Sequence, residues 1–133
     1  MDRFEFDSPE YAAYMREHAH ERGERDFLAT TAGPGMVAVD AGGHRGLAAC
    51  AISRAIGESG RLYCFEPIPE HRELLRGNVE ANRLDNVEVV PAALGERAGS
   101  AVFYRDGDGT SIAPKPDKDR VESEVVGLDE FFG

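Results

Sequence analysis

Between Met36 and Ile56 the chain reads as a short apolar strand, a glycine-rich turn and an alanine-rich helix. This succession constrains the fold more than any other feature of the sequence. Met36 to Asp40 is apolar on both faces, as a buried parallel strand tends to be. Gly42-Gly43-His44-Arg45-Gly46 turns the chain, and Leu47 to Ile56 follows as a helix closed by Gly57 and Gly60. The alternation then repeats. Arg61 to Glu66 reads as a second strand, stopped by Pro67, and Pro69 to Arg83 as a second helix with Leu74, Leu75 and Val79 on one face. Asn86 to Val90 is a third strand. Strand and helix alternating in this way predict a parallel sheet with right-handed crossovers, hence an α/β fold. At 133 residues there is room for one compact domain.

The flanks are less regular. Ser8 as N-cap, Pro9 in the first turn and Glu10 beside it start a helix, and Tyr11, Tyr14, Met15 and His18 recur at helical spacing into the twenties. Gly33-Pro34-Gly35 breaks the chain, which divides an N-terminal helical segment, 1–33, from the α/β part, 34–133. Downstream, Ser100 to Tyr104 and Val121 to Val126 read as strands. Asp106 to Thr110 reads as a turn, Pro114 to Asp119 as an exposed polar stretch, and Leu128 to Phe132 as the start of a helix.

Charge and composition exclude several classes. Twenty-five acids against fifteen cations give a net charge of −10, so a polyphosphate backbone is repelled and no nucleic-acid partner is expected. The longest apolar run, Leu47 to Ile52, is far below the roughly 20 residues of a membrane span. The acidic start, Met1 to Asp7, has no apolar core of a secretory signal, so a cytoplasmic protein is expected. Cys50 and Cys64 sit among apolar neighbours and read as reduced, buried thiols. No metal site is expected: His18 and His20 fall on different helix faces, and Asp106 to Thr110 lacks the downstream glutamate of a calcium loop. Glu70-His71-Arg72-Glu73 reads as a charged first turn without assigned chemistry.

A glycine turn between strand and helix lets a ligand approach the backbone beside the positive end of the helix. Two acids narrow the ligand. Glu66 ends the second strand, 26 residues after Asp40, where a carboxylate can accept hydrogen bonds from both hydroxyls of an adenosine ribose. Asp40 ends the first strand beneath the loop. Beside a pyrophosphate, each like-charge pair at about 5 Å costs roughly 3 kcal/mol at an effective dielectric near 20. S-adenosylmethionine carries an ammonium and a sulfonium instead, which an aspartate favours. The dinucleotide pattern G-x-G-x-x-G is also broken, because Ala41 stands at its first position. A methyl donor is therefore preferred over NAD(P) and its oxidoreductases.

At these residues a family resemblance emerges. Pro34 to Gly46, with Val39-Asp40-Ala41-Gly42-Gly43-His44-Arg45-Gly46, resembles motif I of class I methyltransferases. Gly60-Arg61-Leu62-Tyr63-Cys64-Phe65-Glu66-Pro67 resembles the signature of the FkbM family of S-adenosylmethionine-dependent methyltransferases. Leu74-Leu75 with Asn78 and Asn82, the run Asn86 to Gly95, and Val126 to Phe131 are similar to further segments of that family. The resemblance implies a Rossmann-like, mostly parallel sheet and methyl transfer, on an oxygen of a small molecule or sugar. It implies cofactor contacts from Asp40, Ala41, Gly42, Gly43, Gly46, Glu66 and Pro67. Ala93 falls where many class I enzymes place an acid for the adenine amino group, so only its backbone could serve there.

The sequence departs from that family in two places. Gly43-His44 replaces the usual Ala-Asn, and His44 is either a cofactor or substrate contact or a plain loop histidine. The family follows its LDDF-like segment with a further parallel strand, and here the sequence stops at Gly133. The expectation is the cofactor half of a sheet incomplete at its C-terminal end, with self-association through the open edge. No catalytic base can be named. The alternatives are a non-catalytic cofactor-binding remnant or interaction module, and an NAD(P)-binding oxidoreductase.

Overall fold

The computed structural model of the chain describes residues 4–5, 8–18, 23, 27–28, 30–106 and 109–133. Its centre is a three-stranded parallel sheet, β1 (Val37–Ala41), β2 (Arg61–Phe65) and β3 (Val87–Val90), in the order β1-β2-β3. Asp40 lies opposite Cys64, and Cys64 opposite Val89. Helices α2 (Leu47–Ile56) and α3 (Pro69–Ala81) make the crossovers expected from the sequence.

One face of this sheet carries the main core. Ala49, Ile52 and Ile56 of α2 and Leu75 of α3 pack on Leu62 and Cys64, with Ala38, Val87 and Val89 at the margin. Gly60 is required here by close approach, since a Cβ would stand 2.6 Å from Cβ of Ile56. The opposite face is covered at β2 by the short helix α4 (Leu128–Phe132). Phe131 meets Tyr63 and Phe65 edge-on at 5.4 and 5.2 Å, and Phe132 meets Tyr63 at 5.1 Å.

The reading of the first strand as buried on both faces is corrected. Val37 is 64% and Val39 37% exposed, because β2 pairs β1 on one side and no described strand pairs it on the other. A strand apolar on both faces is expected at the middle of a parallel sheet, and among the described residues it stands at the edge.

Helix α1 (Pro9–Glu17) starts as predicted, with the Ser8 hydroxyl accepting from the amide of Tyr11 at 3.1 Å. It ends at His18, short of the twenties, and residues 19–22, 24–26 and 29, with His20 among them, lie outside the described residues. Tyr11 and Met15 join Phe4, Cys50 and Leu84 in a second apolar cluster. Through it the N-terminal segment packs on α2 and on the turn after α3.

A second sheet holds β4 (Ala93–Gly95), β5 (Gly99–Asp106), β6 (Gly109–Ser111) and β7 (Arg120–Gly127), in the order β4-β7-β5-β6. It is mixed: β4 runs parallel to β7, whereas β5 is antiparallel to both β6 and β7. The expected turn at 106–110 joins β5 to β6, with Gly107 and Asp108 outside the described residues. Among the described residues no helix is long and apolar enough to cross a membrane.

Candidate functional site

The carboxyl ends of β1 and β2 lie side by side, and the glycine turn sits across them. The amides of Gly42 and Gly43 both donate to the carbonyl of Phe65, at 2.8 and 3.2 Å. These bonds fasten the turn to the end of β2. Gly42 has φ +82 and is exposed, and a Cβ there would meet nothing within 4 Å. Its backbone is thus open to a ligand. Gly43 is the reverse: it is buried, and a Cβ would lie 2.9 Å from Cδ2 of Leu75 and 3.4 Å from Cβ of Cys64. A glycine at this position lets the turn press against α3. Gly46, at φ +95, is the N-cap of α2.

The Asp40 carboxylate lies beneath the turn, with Oδ2 3.7 Å from where a Gly43 Cβ would stand. Next to it, burial pushes the Cys64 thiol far up, and the Asp40 charge adds to that. Cys50 is likewise pushed up by burial, to about 12. Both thiols are free and buried, as the sequence suggested.

Glu66, at the end of β2, is only 3% exposed. The peptide N–H of His44 donates to Oε1, and that of Ile68 to Oε2, each at 2.9 Å. A carboxylate oxygen has more than one lone-pair site, so both oxygens retain acceptor capacity. Arg72 reaches back from α3 and donates through Nη1 to the carbonyls of Glu66 and Pro67, at 3.1 and 3.2 Å. Pro67 is thereby placed through its carbonyl.

His44 adopts φ +49, uncommon for a residue with a side chain, and its ring packs on His71 with centroids 4.1 Å apart. Burial holds the His71 imidazole below its ordinary pKa of 6.5, and the neighbouring His44 adds to that. No local pattern joins two histidines 27 positions apart, since that contact exists only after the turn folds onto α3. The charged turn Glu70-His71-Arg72 thus has structural work at this site. Glu70 pairs with Arg105 of β5 at 2.5 and 3.1 Å, and that hydrogen bonding holds its carboxyl down to about 2.

Asn78 and Asn82, part of the family resemblance, act as ties. Asn78 donates to the carbonyl of Arg45 at 2.8 Å and accepts from Phe4, whereas Asn82 donates to the Phe4 carbonyl. The structure therefore brings Asp40 to Gly46 together with Glu66 and Pro67. Ala93 lies apart from that group in sequence and sheet, half-buried in β4 and opposite Val125. Among the described residues no three His, Cys, Asp or Glu side chains group to hold a metal.

No family model matches the sequence, and no curated protein matches it. Solved structures do. The cofactor-bound protein Rv0187 from MTB is 27% identical, over 63% of this chain and 44% of its own, with a TM-score of 0.50. An S-adenosylmethionine-dependent O-methyltransferase from Thermotoga maritima is 21% identical, over 68% of this chain and 31% of its own, also at 0.50. A third chain, from Clostridium thermocellum, is 19% identical over 53% of this chain and 39% of its own, again at 0.50. The chain thus spans less than half the length of these three proteins. The likeness establishes an α/β, Rossmann-like fold of the class I methyltransferase type, mostly parallel, with a mixed second sheet as described.

Proposed function

We propose that the chain binds S-adenosylmethionine at the carboxyl ends of β1 and β2, as part of an FkbM-type methyltransferase acting on an oxygen of a small molecule or sugar. One observation carries this reading. The Gly42–Gly46 turn is bonded directly to the Glu66 carboxylate through the His44 amide, so the backbone cradle and the acid form one unit. The open space at Gly42 fits a ligand that must approach the main chain closely. The fold shared with Rv0187 from MTB, solved in a cofactor-bound form, supports a cofactor-binding reading.

Bound, the cofactor supplies an electrophilic methyl group to a nucleophile. The chain's own residues have three tasks. Glu66 accepts the ribose hydroxyls, sharing its oxygens with the amides of His44 and Ile68. Asp40 favours the cationic methionine end, where a pyrophosphate would be repelled. The Gly42 and Gly43 bonds to Phe65 keep the turn fixed, so that it would hold the methionine end of the cofactor in one position.

Titration calorimetry with S-adenosylhomocysteine and NAD tests the reading. Heat of binding from S-adenosylhomocysteine and none from NAD is expected, and the reverse order would replace a methyltransferase by a dinucleotide enzyme.

A further inference from the structure

The glycine turn is held from two directions. Its first half, Gly42 to His44, is bonded to the end of β2 through Phe65 and Glu66. Its second half, Arg45 to Leu47, is held by α3 and by the N-terminal segment. The Arg45–Gly46 peptide plane is fixed on both sides. The carbonyl of Arg45 accepts from Nδ2 of Asn78 at 2.8 Å, and the amide of Gly46 donates to the carbonyl of Gly43 at 3.0 Å. Asn78 is fully buried, and its Oδ1 accepts from the amide of Phe4 at 3.1 Å. One side chain thus joins the main chain at Phe4 to the main chain at Arg45. Its amide fits only one way round, because turning it over would set oxygen against the Arg45 carbonyl and NH2 against the Phe4 N–H.

We propose that Asn78 is a positioning residue for the glycine turn, and that docking of the N-terminal segment is coupled through it to ligand binding at Gly42–Gly46. Further contacts run the same way. The Arg45 guanidinium stands over the Tyr14 ring of α1, 5.8 Å from its centroid. Leu47, the first residue of α2, packs on the cluster that holds Phe4, Tyr11 and Met15. Asn82, one turn after Asn78, donates to the Phe4 carbonyl at 2.9 Å, so the main chain at Phe4 is gripped at both its N–H and its C=O. Gly46 begins α2 without a side-chain cap, and the entry of that helix is therefore set by these ties.

The effect on binding is indirect. A turn already held in one conformation loses less entropy when a ligand settles on its main chain. A turn released at Arg45 has to be ordered by the ligand itself, and binds it more weakly. The coupling is reciprocal: the factor by which docking of Phe4 and α1 raises affinity is the factor by which the ligand favours their docking. The identity of the ligand rests on the adenosyl reading of the site. The hold of Asn78 on the turn stands on the hydrogen bonds alone.

Amide hydrogen exchange read by NMR, with and without saturating S-adenosylhomocysteine, tests the coupling. In the wild type the ligand is expected to slow exchange at Phe4 and through α1 about 5-fold or more. Tyr14→Leu, which removes the ring beneath Arg45, is expected to lose most of that slowing and to bind about 2- to 5-fold more weakly by calorimetry. Tyr14→Phe, which keeps the ring, is expected to restore both. Without ligand, Asn78→Ala is expected to speed exchange of the Gly46 amide about 5-fold or more. Where Asn78→Ala is too unstable to measure, Tyr14→Leu gives the same ligand-free readout. Binding that leaves Phe4 and α1 exchange unchanged, or Tyr14→Leu binding as tightly as the wild type, would overturn the coupling. A wild type that gives no heat with S-adenosylhomocysteine strikes the cofactor reading instead. The ligand-free arm then decides: faster exchange at Gly46 upholds the positioning role of Asn78, and unchanged exchange overturns it.

Discussion

Strands β1 and β2 are neighbours of equal length and similar apolar content, and their surroundings differ sharply. Leu62, Cys64 and Phe65 of β2 are fully buried, between α2 and α3 on one side and α4 on the other. In β1, the two valines stay exposed and only Ala38 joins the margin of the core. Composition alone cannot tell a middle strand from an edge strand, because exposure depends on what pairs beside it. The lesson is local: the site forms where the buried strand ends, and the exposed strand supplies the other half of its floor.

The largest expected effect breaks this comparison at its buried side. Phe65→Ala should lower stability by about 3–5 kcal/mol, since it empties a packed site between Cys64 and the α4 aromatics. Val37→Ala, on the exposed strand, should stay within about 0.5 kcal/mol. Urea denaturation of both variants reads the contrast, and equal losses would mean that β1 is as covered as β2.

Glu66→Ala comes next. The half-buried amide of His44 and the buried amide of Ile68 would lose their acceptor, at about 1–3 kcal/mol for a buried donor left unpaired and less for the other. Thermal melting checks this, and a melting temperature equal to the wild type would show that the turn is not held by Glu66.

The His44–His71 contact sharpens the comparison by pH. The folded pKa of His71 lies below its ordinary 6.5, so the unfolded chain binds the proton more readily. The stability involved is complete above pH 6.5 and declines as pH falls below it. His71→Gln should remove that part of the decline, measured by denaturation between pH 7 and pH 5, and a slope unchanged by the substitution would contradict it. The Glu70–Arg105 pair is expected to matter least, because both side chains are partly exposed and screened by solvent. Its sign is the same, at lower pH. The Glu70 carboxyl is depressed from 4.5 to about 2, so its contribution is present above pH 4.5 and is lost as pH falls toward 2. Glu70→Gln should flatten only that acid limb.

Much of this arrangement was legible in the sequence, for physical reasons that differ by element. Helix α2 is legible from Leu47 to Ile56 and is found there, because Gly46 and Gly57 punctuate it at both ends. The helix from Pro69 stops at Ala81 rather than Arg83, and Arg83 takes φ +53 in the turn that follows. Strand β4 has no sequence signal: three residues, Ala93-Leu94-Gly95, carry no periodicity, and only pairing with β7 makes them a strand. At the site, Asp40, the glycine turn and Glu66 could be found because chain direction alone brings the ends of β1 and β2 together. The burial of Glu66, the Arg72 clamp and the His71 ring arise from α3 packing across the turn, which no local pattern encodes.

The central claim is that the glycine turn and Glu66 hold an adenosyl cofactor. It is tested most directly by calorimetric titration of S-adenosylhomocysteine into the wild-type chain and Glu66→Ala, at a temperature where both are folded. Loss of the charge-assisted ribose bonds should weaken binding by about 1–3 kcal/mol, roughly 5- to 150-fold. An affinity equal in the two proteins would contradict the assignment.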